Sequence, residues 1–263
     1  MQFGMPFLLE NSSIEDAARL GAELGLDFVE LNMNFPLCGL ERMSASQLLA
    51  LHEKYRLFFT FHLHEEISPC TFSDGVRSAW LAEARDAVTL ARQARIPTVN
   101  LHWPRGIYIT LPDHVEYLFN RYREQYVQNT LAFRKICEEA SRGQVRVCVE
   151  NTERKWQSFQ TDTIELLLES DVFGLTLDVG HEKVAGYGDD WFYAAHPGRL
   201  CHMHLHDARP NQCHMPLGAG ELDIAALVRK ADAAHARAVI EIKTVQALRD
   251  SVRYLRERGL YHD

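Results

Sequence analysis

Short apolar runs rich in Val, Ile, Leu and Phe alternate with longer amphipathic segments along this chain, and we count eight such pairs. The apolar runs predict strands at residues 3–8, 28–33, 57–63, 97–102, 145–150, 173–178, 200–206 and 237–242. The amphipathic segments predict helices at residues 13–24, 45–54, 76–93, 114–139, 162–168, 190–195, 224–235 and 245–258. Strands that alternate with helices in this way pair in parallel through right-handed crossovers.

Eight strand and helix pairs are the number that closes a parallel sheet into a barrel and leaves no exposed sheet edge. We therefore predict an α/β fold of the (β/α)8 TIM barrel type, formed as a single domain by residues 1–263. An open doubly wound sheet contains similar elements, but it carries a glycine-rich phosphate loop after its first strand. Residues 8–12 (LLENS) do not form such a loop.

Composition narrows the range of partners. The hydrophobic fraction of 46% and the charged fraction of 24% are typical of a globular protein, and the formal net charge of −8 disfavours nucleic acid and anionic membranes as partners. Six cysteines are scattered without a CxxC pair, and the chain has neither a basic leader sequence nor a long apolar run. We therefore expect a cytoplasmic protein with reduced thiols; the composition leaves a homo-oligomer open.

Histidines and acidic residues end one predicted strand after another. The C-terminal ends of the strands in a TIM barrel meet at one face, where the active sites of such barrels lie. Because side chains alternate across a strand, His62 and His64 share the inner face of the third strand, and His202, His204 and His206 share that of the seventh. The sequence therefore predicts a polar site at the mouth of the barrel.

Three strand ends carry carboxylates, namely Glu150, Asp178 and Glu241. Carboxylates in one low-dielectric space repel each other unless cations neutralise them. Lys243 and Arg154 are the obvious basic residues near them in the sequence. A divalent metal is therefore the simplest neutraliser.

Together with His204, these three acids form a set of oxygen and nitrogen ligands. Such a set suits Mn²⁺, Mg²⁺, Co²⁺ or Zn²⁺, and the sequence does not choose among these ions.

Several motifs follow these strand ends: Glu-Asn-Thr at 150–152, Asp-x-x-His at 178–181, Ala-Gly-Tyr at 185–187, His-Leu-x-Asp-Ala at 204–208 and His-x-x-Leu-Gly-x-Gly at 214–220. Through them the chain resembles the xylose-isomerase-like TIM barrel superfamily. That superfamily includes sugar and sugar phosphate isomerases and epimerases as well as endonuclease IV, also called AP endonuclease family 2.

The endonuclease branch implies three zinc ions with nine ligands. Eight positions match, namely His62, His102, Glu150, Asp178, His181, His204, His214 and Glu241, whereas the ninth, an Asp in that branch, is Gln212 here. His64 lies on the same strand face as His62 and is an alternative for the ligand on that strand. Clustered metals of this kind hydrolyse phosphoesters, and the short loops with few basic clusters favour a small phosphoester over abasic DNA.

The isomerase and epimerase branch implies one metal held by Glu150, Asp178, His204 and Glu241. In that branch the two glutamates lie on opposite faces of a sugar carbon, where one removes a proton and the other returns it. Histidines at the positions of His62 and His181 then bind sugar hydroxyls, and Glu30 and Asn32 on the second strand extend that surface. The intact set of four ligands, Gln212 and the negative charge favour this function, with a phosphoester hydrolase as the alternative.

The remaining candidate residues carry weaker signals. Arg105, after the fourth strand, is placed to meet a phosphate or carboxylate, although the adjacent Trp103 could simply pack the loop. For His64, His202 and His206 we favour a role in the core or behind the ligands. The histidines expected at the surface are His52, His114, His196, His235 and His262.

Overall fold

Eight of the twelve strands in this computed structural model, which describes residues 1–261, pair in parallel and close into a barrel. The strands are β1 (Phe3–Pro6), β2 (Phe28–Asn32), β3 (Phe58–His62), β4 (Thr98–His102), β5 (Tyr108–Thr110), β6 (Val115–Tyr117), β7 (Arg146–Glu150), β8 (Phe173–Asp178), β9 (Leu200–Leu205), β10 (Asp207–Arg209), β11 (Gln212–Met215) and β12 (Arg237–Ile240). The order around the barrel is β1-β12-β9-β8-β7-β4-β3-β2. The predicted TIM barrel and all eight of its strands are confirmed.

Helices cover the outside of the barrel. They are α1 (Ile14–Glu23), α2 (Ala45–Tyr55), α3 (Asp74–Gln93), α4 (Leu118–Arg121), α5 (Arg123–Ser141), α6 (Ser158–Leu168), α7 (Val179–Val184), α8 (Asp190–Ala195), α9 (Ile224–Ala233) and α10 (Val245–Glu257). None of the helices within residues 1–261 combines the length and apolar composition that a membrane span requires. All six cysteines are free thiols.

The barrel strands direct apolar side chains towards the helices and polar side chains towards the barrel interior. On β9, Met203 and Leu205 belong to the hydrophobic core, whereas His202 and His204 contact Glu30 across the interior. This alternation follows from the two-residue period of a strand. It places the polar residues of the site inside the barrel at the C-terminal ends of the strands.

The predicted helix over 114–139 is wrong in its first part. Residues Val115–Tyr117 form β6, which pairs antiparallel with β5 so that Ile109 faces Glu116. The β-branched and aromatic side chains of β5 and β6 suit a pleated ribbon better than a helix. The helical structure begins at Leu118 and is interrupted at Tyr122, between α4 and α5.

The helix predicted over 162–168 begins earlier, at Ser158. The Gln160 side chain accepts a hydrogen bond from the backbone of Gln157 at 3.0 Å, and this contact supports the start of α6. Three short elements at the barrel mouth were not predicted: α7 and the two strands of the β10-β11 hairpin.

The surface positions predicted for isolated histidines are largely confirmed. His52, His114 and His235 are exposed and His196 is half-buried. The same expectation for His262 lies outside the residues that the structure describes.

Candidate metal centre

Three carboxylates from three strands surround one ring nitrogen of His204. His204 Nδ1 lies 2.9 Å from Glu150 Oε1, 3.2 Å from Glu241 Oε2 and 3.9 Å from Asp178 Oδ2. Glu150 ends β7, Asp178 ends β8, His204 lies on β9 and Glu241 directly follows β12. The structure therefore brings together the four residues that the sequence predicted as metal ligands, which we call the quartet.

The quartet has donor atoms that no protein group satisfies. Glu150 Oε1, Glu241 Oε2 and His204 Nδ1 are buried and have no hydrogen-bond partner. Lys243 Nζ lies 2.7 Å from Glu241 Oε1, but it covers only that oxygen, and Arg154 is exposed. Because unpaired buried carboxylates are costly, three oxygen donors and one nitrogen donor at this spacing fit a divalent cation.

The surrounding charges keep the quartet carboxylates ionised. Burial alone would raise the pKa of Glu150, but the charges of His204 and His102 outweigh it and hold that pKa well below its ordinary value. For Glu241 the opposing effects are likewise burial and the charge of His204, supported by Lys243, and the pKa is again well below its ordinary value. Ionised carboxylates are the form that binds a metal or accepts a proton.

The second carboxylate oxygen of Glu150, Oε2, faces two further histidines that the sequence suggested as ligands. Glu150 Oε2 lies 3.4 Å from His62 Nε2 and 3.3 Å from His102 Nε2, and it also accepts a hydrogen bond from Asn100. His102 Nδ1 lies 2.7 Å from Glu65 Oε2. Glu150 therefore bridges the quartet and a histidine pair.

His64, the alternative ligand on the third strand, does not contact Glu150. Its Nε2 lies 3.3 Å from Glu83 Oε1 and its ring lies beside Trp80, away from the cluster. Strand β3 ends at His62, so the strand alternation that would have placed both histidines on one face no longer holds at residue 64. His62 is therefore the residue of this strand that reaches the site.

Two elements at the mouth position His181 and His214. Asp178 caps α7 by accepting a hydrogen bond from the backbone of His181 at 2.7 Å, which places the His181 ring next to Asp178 Oδ2 at 3.4 Å. His214 lies on β11 with its ring centroid 5.6 Å from that of His181. Gln212, on the same strand, is exposed.

His206 supports the quartet from behind. Its Nε2 lies 3.0 Å from Asp178 Oδ1, and its Nδ1 accepts a hydrogen bond from the backbone of His214 at 2.7 Å. Since the second contact requires a bare Nδ1, the Nε2 nitrogen carries the proton and donates a hydrogen bond to Asp178. This arrangement agrees with the supporting role predicted for His206.

Glu30 has a different environment from the one that the sequence predicted. It is 3% exposed, and its carboxylate lies 2.9 Å from His202 Nε2 and 2.8 Å from His204 Nε2. Thr60 donates a hydrogen bond to it at 3.0 Å. Glu30 therefore lies in the barrel interior beneath the quartet and, like Asn32, also borders a cavity above β2. No local sequence spacing relates Glu30 to β9.

A cavity of about 280 Å³ opens above the quartet. Its lining includes His62, His102, Glu150, His181, His214, Glu241 and Lys243, together with Glu65, Thr152 and Glu153. Arg105 lines a separate cavity of about 490 Å³ that shares Glu65, His102 and Thr152 with the first. The Arg105 guanidinium donates a hydrogen bond to the Tyr117 hydroxyl, so Arg105 lies beside the candidate centre and not within it.

Comparison with known proteins agrees with the predicted TIM barrel fold. The sequence profile described as the xylose isomerase-like TIM barrel matches residues 18–258. No curated protein shows significant sequence similarity to the chain.

Solved structures with this fold include a D-tagatose 3-epimerase-like protein, with 20% identity, 98% of this chain and 96% of that chain covered, and a TM-score of 0.76. The 3-keto-D-glucoside 4-epimerase from E. coli has 17% identity, 98% and 99% coverage and a TM-score of 0.74. Endonuclease IV from Thermus thermophilus has 16% identity, 98% and 100% coverage and a TM-score of 0.70. At these identities the likeness establishes the fold alone.

Proposed function

The chain belongs to the xylose isomerase-like TIM barrel family, and from that premise we propose that it is a divalent-metal-dependent epimerase or isomerase of a sugar or sugar phosphate. The observation that carries this proposal is the placement of two carboxylates around His204. Glu150 and Glu241 approach its Nδ1 to 2.9 Å and 3.2 Å from β7 and β12, which lie on either side of the β8-β9 pair in the barrel. The 3-keto-D-glucoside 4-epimerase and the D-tagatose 3-epimerase-like protein among the structural relatives support the proposal.

The chemistry follows from the two glutamates. A divalent ion held by Glu150, Asp178, His204 and Glu241 would supply the positive charge that makes a substrate hydrogen next to a carbonyl more acidic. With their pKa values held low, both glutamates are ionised and able to accept a proton. One glutamate removes the hydrogen from one face of the carbon and releases it to solvent, while the other takes up a proton from solvent and delivers it to the opposite face, which inverts that carbon.

The cavity above the quartet suits a small polar substrate. His62 and Lys243 line it close to Glu150 and Glu241, respectively, and offer donors to sugar hydroxyls. The net charge of −8 disfavours a nucleic acid in this position. Loop side chains set the choice of substrate on this fold.

The proposal is tested by incubating the metal-loaded protein with ketoses and ketose phosphates in deuterated water. We expect solvent deuterium at the carbon next to the carbonyl, and a loss of about 100-fold or more in exchange and turnover for Glu241→Gln. Undiminished turnover in that variant would refute the role of Glu241. Metal-dependent hydrolysis of a model phosphodiester without deuterium exchange would refute the epimerase and favour the second candidate.

The second candidate is a metal-dependent hydrolase of small phosphoesters. One observation favours it: Glu150 Oε2 faces His62 Nε2 at 3.4 Å and His102 Nε2 at 3.3 Å, while Glu150 Oε1 faces the quartet. A carboxylate that bridges two ligand groups in this way is suited to a pair of metal ions, which together activate water and neutralise a phosphoryl group.

A further inference from the structure

We propose that the cavity of about 490 Å³ beside the candidate metal centre binds the terminal phosphate of the substrate, so that the substrate is a ketose phosphate and not a free sugar. The inference rests on the proposed epimerase function and names its substrate class. It is carried by Arg105, a half-buried cation without an acidic partner at the wall of this cavity.

The charge of Arg105 is not balanced within the protein. No acidic side chain among residues 1–261 forms an ion pair with it, and its Nε and Nη1 atoms are buried without a hydrogen-bond partner. Nη2 donates a hydrogen bond to the neutral hydroxyl of Tyr117. Because a guanidinium stays protonated and an unpaired charge is costly away from water, an anion in the adjacent cavity would stabilise Arg105.

Aromatic side chains hold Arg105 at this wall. Its guanidinium carbon lies 5.7 Å from the ring centroid of Tyr108 and 5.2 Å from that of Tyr117. The next residue, Gly106, has a φ of 70°, and an added Cβ there would lie 2.5 Å from the ring of Phe119. These contacts fix the guanidinium without supplying a negative charge. An arginine that is already ordered loses little conformational freedom when it binds a ligand.

Further donors surround the same cavity. Its lining includes the basic side chains of Arg154 and Lys155 and the hydroxyl groups of Ser68 and Thr71. A phosphate monoester presents three terminal oxygens and carries a charge of about −1.5 to −2. Three basic side chains and two hydroxyls therefore suit a phosphate better than a carboxylate, which presents two oxygens and a single charge.

The lining remains positive despite two acidic residues. Glu65 Oε2 lies 2.7 Å from His102 Nδ1, and Glu66 is exposed. Three basic side chains against two acidic ones leave an excess of positive charge around the cavity. In a protein with a net charge of −8, this local excess favours an anionic group on this side of the metal centre.

One substrate can span both cavities, because they share His102 and Thr152. His102 Nε2 also lies 3.3 Å from Glu150 Oε2. A ketose whose reacting carbon lies at the quartet would therefore extend past His102 and place its far end beside Arg105. A phosphate at that end binds and orients the substrate without taking part in the proton transfer.

The substrate class is tested by comparing ketoses with their terminal phosphate esters as substrates of the metal-loaded, full-length protein. We expect kcat/KM to be about 100-fold higher for the phosphate esters, and Arg105→Gln to reduce this preference by about 10- to 100-fold. The matched control is Arg229→Gln, which removes an exposed guanidinium from α9 and is expected to keep the preference.

The wild-type preference tests the proposal even if Arg105→Gln were unstable. Equal or faster turnover of free ketoses would overturn it, as would faster turnover of ketoses that end in a carboxylate. A folded Arg105→Gln variant with an unchanged preference would also overturn it.

Binding of inorganic phosphate separates this site from the epimerase proposal. In calorimetric titrations of the metal-loaded protein, Arg105→Gln is expected to weaken phosphate binding by about 10- to 100-fold, and Arg229→Gln is expected to leave it unchanged. Phosphate that bound only at the metal centre would keep its affinity in Arg105→Gln, and that result would refute the site. Weakened binding in Arg105→Gln without epimerase turnover in the wild type would support the site and refute the epimerase.

Discussion

Oε1 of Glu30 lies 2.8 Å from Nε2 of His204, on the side of the ring opposite the quartet carboxylates. The other nitrogen, Nδ1, faces Glu150 and Glu241. A carboxylate behind a ligating histidine favours the tautomer that carries its proton on the far nitrogen and leaves the near nitrogen bare. Glu30 therefore acts as a positioning residue for the candidate metal centre.

Replacing Glu30 with Gln is expected to weaken Mn²⁺ or Zn²⁺ binding at the quartet by about 10- to 100-fold. The reason is that Gln removes the negative charge that faces Nε2 of both His202 and His204, and its amide nitrogen can turn a donor towards one of these rings. Calorimetric metal titration measures the effect. Thr60→Val serves as the control, because it removes one hydroxyl contact at 3.0 Å and leaves both histidine contacts in place. An affinity unchanged in Glu30→Gln would rule out the positioning role.

His102→Ala distinguishes the two proposed functions. As an epimerase, the enzyme should keep most of its kcat, because the charge of His204 still lowers the pKa of Glu150. Its KM should rise by about fivefold, since one hydrogen bond to substrate contributes on the order of 1 kcal/mol. As a two-metal hydrolase, it should lose nearly all turnover. His64→Ala is the matched control, because that ring contacts Glu83 and Trp80 outside the cavity. Steady-state kinetics with the substrate found by the deuterium experiment provides the measurement.

Glu182 is expected to make the protein less stable as the pH rises through neutrality. Burial raises its pKa from 4.5 to about 7, despite hydrogen bonds from the backbone of Asp189 and Asp190. Because the folded state holds the proton more tightly than the unfolded state, stability is full below the unfolded pKa and is lost between that value and the folded pKa.

Glu182→Gln removes this titration while an amide oxygen still accepts the two backbone hydrogen bonds. The variant should therefore melt at a higher temperature than the wild type at about pH 8, and the difference should vanish near pH 5. Thermal unfolding followed by circular dichroism at matched metal concentration tests this. A variant that is less stable at both pH values would show that the charged form is not penalised by burial.

Gly220→Ala is expected to destabilise the protein by about 1 to 3 kcal/mol. An added Cβ would lie 2.3 Å from Asp207 Oδ1 and 2.7 Å from the backbone nitrogen of Ala208. Asp207 cannot move freely, because it accepts hydrogen bonds from the backbone of Gly218 and Leu222, both at 3.0 Å.

Denaturant titration compares this variant with Gly198→Ala, whose added Cβ would meet no atom within 4 Å. Equal stability of the two variants would contradict the steric argument. The same contacts give a physical reason for the spacing of the two glycines in the 214–220 motif.

The barrel could be predicted because its strands are local patterns of apolar residues, and the quartet could be predicted because its members end those strands. The β10-β11 hairpin and α7 could not, since they are too short to show a periodic pattern: α7 has 6 residues, and the two strands have 3 and 4. The role of Glu30 could not be predicted, because its partner His202 is 172 positions away in the sequence.

The pairing of β1 with β12, which aligns Phe3 with Ala238, has a kinetic consequence. Glu241 directly follows β12, which pairs with β9 on its other side, so the last quartet ligand lies between the first strand and the strand that carries His204. Such distant pairing carries a large loop-closure entropy and forms late in folding. A metal ion bound at the quartet is therefore expected to favour the closed ring over any state in which β12 has separated from its neighbours.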